Sequence, residues 1–289
     1  MKSCLFKTEA GRDRLDQWYE RFLAKTVPPV DSVFVPTRHG ENHVLVAGPE
    51  DGQPLVVLHA MRTGASFILA ELGPLLTQYR VYAPDLPGHS VRGLDMRLPL
   101  TDDSSADWAA DVMDGLCLDS AHLLGVSWGG YIARATASQR PERVKHLALL
   151  VPAGIANGSH LTGLMKMAWP MIRYQFSPND ANLRRLLSPL VSTWDDDWGN
   201  FIGCAIRDLK MDPRIPPIAT DEKLKNLPMP VLAIVGEEDI SFPGKLIEQR
   251  LRTLLPTAEI DVLPDCKHCP PTTPEFRQWL GERLTKFFV

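Results

Sequence analysis

The residues best suited to covalent chemistry are 125–129, which read Gly-Val-Ser-Trp-Gly. An apolar run, 121–124, precedes them and a helix-like stretch, 131–137, follows them. A G-x-S-x-G sequence between a strand and a helix is typical of a nucleophile elbow, a sharp turn that holds a serine hydroxyl out at the top of a sheet. The turn strains the serine backbone, and strand and helix crowd together two residues to either side, where only glycine fits. The pattern therefore predicts Ser127 as a nucleophile.

A serine nucleophile needs a histidine as its base and a carboxylate that orients the histidine, and both occur later in the chain. Asp239 follows the apolar run 231–235, and His268 follows the last strand candidate, 259–263. The order serine, acid, histidine is that of the doubly wound hydrolases. Because only one helix and one strand candidate separate the two loops, they can be neighbours in space. Order and spacing thus indicate a triad of Ser127, His268 and Asp239.

An α/β framework must position these residues, because short apolar runs alternate with helical patterns along most of the chain. The strand candidates are 32–35, 43–46, 55–58, 80–83, 122–124, 144–151, 231–235 and 259–263. A run that is apolar on both faces, such as 55–58, is typical of a buried parallel strand. Strand–helix alternation implies a mostly parallel sheet with helices on both faces. We therefore predict an α/β fold around an eight-stranded, mostly parallel sheet.

The alternation breaks between residues 153 and 227, a segment with several tryptophans and methionines. Its proline and glycine breaks indicate three or four short helices and no strand. A helical insertion after the sixth strand lies above the carboxyl ends of the sheet, so we interpret it as a cap over the serine. Ordinary packing helices are the alternative. We expect Met165 and Trp169 to line the substrate pocket. The predicted units are an N-terminal helix in 1–30, a core of 31–152 and 228–289, and the cap, 153–227.

Further motifs accompany the elbow along nearly the whole chain. They are Val-Leu-His at 57–59, Tyr-Ala-Pro-Asp-Leu-Pro-Gly-His at 82–89, Gly-Glu-Glu-Asp at 236–239 and the late His268. With these motifs the chain resembles α/β-hydrolase-fold proteins of the capped carboxylesterase type, and among them bacterial members that open with an extra helix. The resemblance implies acyl-enzyme chemistry by the triad described above.

A tetrahedral intermediate needs two backbone N–H donors, which form the oxyanion hole. The residue after the nucleophile, Trp128, supplies one. The resemblance implies Met61 as the second. Relatives usually carry His-Gly at the start of this loop, whereas this chain has His59 followed by Ala60. The side chains of Met61 and Trp128 are also expected near the pocket, although Trp128 could instead pack on the cap.

Two other groups of residues could be assigned a chemical role, the glutamates before Asp239 and a pair of cysteines beside His268. Glu237 and Glu238 come just before Asp239, one or two residues early for the acid of the resembled family. Cys266 and Cys269 form a C-x-x-C pattern, which can indicate a zinc half-site or a redox pair. No second Cys/His cluster accompanies the pair, and no glycine-rich phosphate or dinucleotide loop is present. We therefore expect neither a metal nor a cofactor.

Composition and charge limit the kinds of partner and the compartment that we expect for this protein. The formal net charge of −4 and a pI near 6.1 give no reason to expect nucleic acid or an anionic membrane as partner. No run reaches the length of a transmembrane helix, and the first residues lack the apolar stretch of a signal peptide. Five cysteines, an odd number, favour a reducing cytoplasm. We expect a cytoplasmic monomer or homodimer that acts on a small molecule.

Two classes of function agree with these residues. The first is a cofactor-free serine hydrolase acting on a small or medium carboxylic ester, and the same triad could serve a C–C bond hydrolase, a lactonase or a cofactor-free haloperoxidase. The second is a ligand-binding or signalling protein of the same fold with slow or no turnover. The presence of all three triad residues favours catalysis.

Overall fold

An eight-stranded sheet forms the centre of the protein in a computed structural model, which describes residues 5–289 and only the backbone of residues 160–164. The strands are β1 (Val30–Thr37), β2 (Gly40–Ala47), β3 (Gln53–Leu58), β4 (Tyr79–Pro84), β5 (Ala121–Val126), β6 (Val144–Leu150), β7 (Val231–Gly236) and β8 (Glu259–Leu263). Their order in the sheet is β1-β2-β4-β3-β5-β6-β7-β8. β2 pairs antiparallel with β1 and β4, and all other pairs are parallel. The predicted fold class is confirmed.

Ten α-helices accompany these strands in the described part of the chain. They are α1 (Glu9–Leu23), α2 (Ala65–Glu71), α3 (Ser104–Gly115), α4 (Trp128–Gln139), α5 (His160–Phe176), α6 (Asp180–Leu187), α7 (Asp196–Asp208), α8 (Asp221–Lys225), α9 (Gly244–Leu254) and α10 (Pro274–Phe287). Every residue of β5 and β7 is buried, as expected for strands that are apolar on both faces. Alternate residues of β3 enter two separate cores: Leu55 and Val57 pack with α2 and α10, Val56 and Leu58 with α3 and α4.

The register brings the carboxyl ends of the central strands to one edge of the sheet. Leu58 at the end of β3 lies beside Gly125 of β5, and Val126 lies beside Leu150 of β6. At the other side Gly236 of β7 pairs with Leu263 of β8. The loops after β3, β5, β7 and β8 therefore share this edge, and each contains a residue that the sequence marks for chemistry.

The segment between β6 and β7 contains four helices, α5 to α8, and no strand among its described residues. This agrees with the expected helical content. One helix is longer than expected, because α5 runs for 17 residues with Pro170 inside it. Whether this segment acts as a separate cap unit stays a prediction.

Helix α1 joins the core to the segment between β6 and β7. Its Phe22 ring contacts Phe67 of α2 at 5.0 Å between centroids and Phe201 of α7 at 5.3 Å. Arg14 binds Asp208 at the end of α7 through two hydrogen bonds of 2.7 and 3.0 Å. The helix was expected within residues 1–30, of which 1–4 lie outside the described residues.

The buried stripe of α1 differs from the one that its apolar spacing indicates. Leu15, Trp18 and Phe22 fit helical spacing, but the buried side chains are Leu15, Tyr19 and Phe22, while Trp18 is only partly buried. Both sets have helical periodicity, so spacing alone cannot distinguish them. The tyrosine enters the core because its hydroxyl has a buried partner there, Asp85.

Phe22→Ala should destabilise the protein by about 3–5 kcal/mol, because it empties the aromatic contact between α1, α2 and α7. Phe176→Ala is the matched control, since that phenylalanine of α5 is 88% exposed and its loss should cost less than about 0.5 kcal/mol. Urea unfolding of both variants measures the difference. Equal free energies of unfolding for the two would contradict the packing role of α1.

Candidate active site

Ser127 lies between β5 and α4 in a backbone conformation that few residues adopt. Its φ of 51° and ψ of −110° are outside the regions favoured for residues other than glycine. The N–H of Ser127 donates to the carbonyl of Leu150 at 2.9 Å, and its own carbonyl accepts from Ala153 at 3.0 Å. These bonds to the end of β6 and to the residues that follow it hold the strained residue in place. The elbow expected from the sequence pattern is therefore present as local geometry.

The hydroxyl of Ser127 contacts a histidine from the last loop before α10. Ser127 Oγ lies 3.0 Å from His268 Nε2, and His268 Nδ1 lies 2.8 Å from Asp239 Oδ2. Because the carboxylate can only accept, Nδ1 carries the proton and Nε2 presents a lone pair to the hydroxyl. The structure thus brings together the three residues that order and spacing selected, in the geometry of a nucleophile, a base and an orienting acid.

Asp239 is held by its own loop. Its Oδ1 accepts hydrogen bonds from the backbone N–H groups of Ser241 at 2.7 Å and Phe242 at 3.0 Å. The Phe242 ring also contacts the His268 ring edge-on, with centroids 5.3 Å apart. These backbone donors fix Oδ1, and the fixed Oδ1 leaves Oδ2 facing the imidazole.

The neighbouring glutamates do not compete for the histidine. Glu237 and Glu238 are exposed, whereas Asp239 is buried. Glu237 pairs with Lys245 on α9 at 2.9 Å, and this pairing lowers the pKa of the glutamate. His268 Nδ1 makes its hydrogen bond to Asp239, as its place in the sequence predicts.

The loop that carries His268 is bonded to the connection between α6 and α7. Ser192 Oγ accepts from the N–H of Lys267 at 2.9 Å and donates to the carbonyl of Cys269 at 2.8 Å. The N–H of Cys269 donates to the carbonyl of Leu190 at 2.7 Å. The segment between β6 and β7 therefore helps to position the histidine, a role that sequence reasoning missed because these partners are more than 70 residues apart.

The expected oxyanion donors lie on the two sides of a very close backbone contact. Trp128 begins α4, so its N–H is among the first-turn groups that have no partner within a helix. Gly129 follows it, and a Cβ at that position would lie 2.0 Å from the carbonyl oxygen of Leu58 and 2.7 Å from that of His59. The start of α4 thus abuts the loop that contains Met61. The N–H of Met61 donates no hydrogen bond to any residue that the structure describes.

The Trp128 side chain is buried and packs beneath the site. Its ring lies 4.5 Å from the ring of His89, measured between centroids. Burial lowers the pKa of His89 to about 3, so its imidazole is neutral near pH 7 and contacts the tryptophan as an uncharged ring, tilted by 57°. Trp128 therefore packs on the core beside the loop after β4, and its contribution to a substrate pocket stays a prediction.

Among the described residues, Met165 and Trp169 make no hydrogen bond or ring contact with Ser127, His268 or Asp239. They lie on α5 and are 68% and 67% exposed. Ile172 and Phe176 are exposed on the same helix, at positions that continue the stripe every three or four residues. The expectation that Met165 and Trp169 line a pocket stays a prediction, and the structure places both side chains largely in solvent.

The C-x-x-C pair consists of packed thiols. Cys266 and Cys269 are both free, and burial raises the pKa of each thiol. Thiols with raised pKa values stay protonated near neutral pH, which lowers their reactivity. Among the side chains that the structure describes, no group of three or more His, Cys, Asp or Glu residues is arranged to hold a metal ion. None of the described helices could cross a membrane.

A model of the alpha/beta hydrolase family matches residues 55–276 of the 289-residue chain, which include the elbow, the acid and the histidine. The chain belongs to this family. This α/β hydrolase is 27% identical to the uncharacterized carboxylesterase nap of Bacillus subtilis (strain 168), over 95% of its own length and 92% of that protein's. It is 25% identical to carboxylesterase YbfK of the same strain, over 95% and 93% of the two chains.

A solved structure agrees with the fold of the hydrolase along its whole length. The naproxen esterase (carboxylesterase NP) of Bacillus subtilis superimposes with a TM-score of 0.84. The two chains are 24% identical, and the match covers 98% of this hydrolase and 100% of the esterase. Because the match covers 98% of the chain, it includes the N-terminal helix as well as the sheet and the segment between β6 and β7.

Gly129→Ala should destabilise the hydrolase by more than about 3 kcal/mol, because its Cβ would displace backbone rather than a flexible side chain. Gly73→Ala is the control, since no heavy atom lies within 4 Å of a Cβ built there. Chemical unfolding should show a large loss for the first variant and almost none for the second. A stable Gly129→Ala variant would mean that α4 can move away from β3 at little cost.

Proposed function

We propose that this protein is a serine hydrolase that cleaves a small or medium carboxylic ester through an acyl-enzyme intermediate. The observation that carries the proposal is the hydrogen-bonded series Ser127 Oγ to His268 Nε2 at 3.0 Å and His268 Nδ1 to Asp239 Oδ2 at 2.8 Å. The carboxylesterase names of relatives that align over 95% of the chain support the ester as the bond that is cleaved.

Acylation begins when Ser127 Oγ attacks the ester carbonyl carbon and its proton passes to His268 Nε2. The imidazolium that forms is stabilised by Asp239, which keeps the ring in place through its bond to Nδ1. The tetrahedral intermediate collapses when the C–O bond to the alcohol breaks. His268 then returns the proton to the departing oxygen, so that the alcohol leaves neutral and the acyl group stays on the serine.

Deacylation repeats the sequence with water as the nucleophile. His268 Nε2 takes a proton from water as the oxygen attacks the acyl carbon, and the proton then goes to Ser127 Oγ as the acid is released. The N–H groups of Trp128 and Met61 are proposed to stabilise the oxyanion in both steps. Such donors are typically worth about 10²- to 10³-fold each in turnover.

A ligand-binding protein of the same fold is the alternative from another class, and C–C bond hydrolases, lactonases and cofactor-free haloperoxidases use the same triad. Turnover of a p-nitrophenyl ester with a burst of one nitrophenolate per protein chain supports an acyl-enzyme. Tight binding without turnover supports the ligand-binding alternative. Release of a carboxylic acid from a vinylogous 1,5-diketone, with no ester turnover, supports C–C hydrolysis.

Ser127→Ala should lower kcat for ester hydrolysis by about 10⁴-fold or more and leave the fold intact, because it removes one oxygen atom. His268→Ala added to it should cost little further, since triad members act as a unit. Steady-state kinetics on the single and double variants measure both effects, and circular dichroism checks the fold. Retention of more than about a tenth of the original kcat by Ser127→Ala would exclude this serine as nucleophile.

We also propose that residues 153–227 act as a cap that selects substrates. This segment begins directly after β6, at the edge of the sheet where Ser127 lies, and its Ser192 binds the loop of the catalytic histidine. The exposed apolar side chains of α5, among them Met165 and Trp169, are the surface of this cap that an acyl chain could contact.

Trp169→Ala and Met165→Ala should change the ratio of kcat/KM between long and short acyl esters. Apolar contacts discriminate by about 1–3 kcal/mol per methylene-sized group. Both side chains are mostly exposed, so stability should change by less than about 0.5 kcal/mol. Lys166→Ala, which alters an exposed polar residue of the same helix, is the control. If alanine substitutions along the cap left the ratio unchanged, substrate selection would be assigned to Met61, Trp128 and the loops around Asp239.

A further inference from the structure

A fully buried carboxylate, Asp85, lies directly after β4, beside the loop that carries Met61. Its Oδ2 accepts hydrogen bonds from Tyr19 Oη at 2.8 Å and from His43 Nδ1 at 2.7 Å. Its Oδ1 accepts from Ser90 Oγ at 2.5 Å and from the backbone N–H of Ala65 at 2.9 Å. Four donors from four parts of the chain therefore converge on one side chain that the catalytic steps do not use.

Asp85 is ionised in this environment. Burial alone would raise its pKa, but the hydrogen bond from His43, the nearby His59 and the hydrogen bond from Ser90 lower the pKa of Asp85 below its ordinary value. Burial and the carboxylate raise the pKa of Tyr19, so the phenol keeps its proton and acts as a donor. Hydrogen bonds to a buried charge are stronger than those between neutral groups.

The Asp85 region fixes both ends of residues 60–64, which we call the oxyanion loop. After the loop, Oδ1 of Asp85 binds the N–H of Ala65, the first residue of α2. Before the loop, His59 Nε2 accepts from the N–H of Leu86 at 2.9 Å, and His59 Nδ1 donates to the carbonyl of Ala60 at 2.8 Å. A shift of Asp85 would therefore move the loop that presents the N–H of Met61.

Tyr19 is well placed to hold Asp85 still. The ring of Tyr19 packs on the oxyanion loop, because a Cβ at Gly64 would lie 3.2 Å from one of its carbons. The guanidinium of Arg92 lies 4.3 Å from the ring centroid, and Arg92 Nε also binds Asp16 of α1 at 2.9 Å. Tyr19 is thus the point at which α1 contacts the oxyanion loop and its supporting carboxylate together.

We propose that Tyr19 is a positioning residue for the oxyanion hole: its hydroxyl fixes Asp85, and Asp85 fixes the loop that presents the N–H of Met61 to the substrate oxygen. The inference rests on the proposed function, since it assigns the loop to an oxyanion. Donors act in catalysis only when they already point to where charge develops, and a displacement of about 1 Å can cost about 10²-fold in rate.

The test compares Tyr19→Phe with Tyr79→Phe. Both remove one phenol oxygen from a buried tyrosine, but Tyr79 lies at the amino end of β4, outside the proposed cap, where its ring contacts those of His122 and Phe288. Tyr19→Phe should lower kcat for a p-nitrophenyl ester about tenfold with little change in KM, because the loop acts on the transition state. The affinity for phenylboronic acid, whose serine adduct places an oxygen in the hole, should fall in the same proportion. Tyr79→Phe should leave both values within about twofold.

Hydrogen exchange gives a readout of the loop itself, independent of turnover. Backbone amides in residues 59–67 should exchange faster in Tyr19→Phe than in the unmodified protein or in Tyr79→Phe. An unchanged kcat and boronate affinity, with only a lower Tm, would assign Tyr19 a merely structural role and overturn the proposal. Unchanged exchange in residues 59–67 would overturn it as well.

The proposed function has its own test in the same experiment. Reaction of Ser127 with a fluorophosphonate in the unmodified protein supports a serine hydrolase whatever the outcome at Tyr19. Absence of both labelling and ester turnover would reject the proposed function, and with it the oxyanion role of the loop. Hydrogen exchange would then still decide whether Tyr19 orders residues 59–67.

Discussion

The site depends on one steric constraint, the contact between the start of α4 and the end of β3. The α-carbon of Gly129 lies so close to the carbonyl of Leu58 that no larger residue fits. The neighbouring strands are in register at the same place, where Leu58 lies beside Gly125. These two contacts bring the serine at the end of β5 and the loop after β3 to a common edge. The serine can share a site with the N–H groups of that loop only because of this placement.

The other two members of the proposed triad are held in different ways. Asp239 depends on its own loop, whose N–H groups bind one carboxylate oxygen and leave the second for the imidazole. His268 depends on partners outside the sheet, because Ser192 bonds the backbone on both sides of it. The acid is therefore placed by short-range structure, and the base by a contact between two distant segments.

The contrast between short-range and long-range contacts explains how much of the fold and the site could be predicted from the sequence. The elbow, the sheet and the order of the triad depend on local patterns, namely glycine spacing, apolar runs and strand ends, so they can be recognised without a structure. The buried face of α1 could not be chosen, because Trp18 and Tyr19 both fit helical spacing. Only the position of Asp85, 66 residues further on, distinguishes them.

The contacts of residues in the segment between β6 and β7 could not be predicted from the sequence either. Ser192 has no local signal, since its partners lie 75 and 77 residues away and a serine in a loop is common. Met165 and Trp169 are apolar residues in a helical segment, but periodicity does not tell which face of a helix contacts a neighbour. Their two-thirds exposure depends on how α5 packs through Met167, Met171 and Tyr174.

The bonds of Ser192 limit the changes of length that this hydrolase can accept. The segment around Leu190 to Ser192 and the loop from Lys267 to Cys269 share backbone hydrogen bonds, so neither can change length without displacing the histidine between them. Transfer of the helical segment into a related chain would therefore have to carry both pieces together. The transferable unit is discontinuous in sequence, and it includes His268 of the proposed triad.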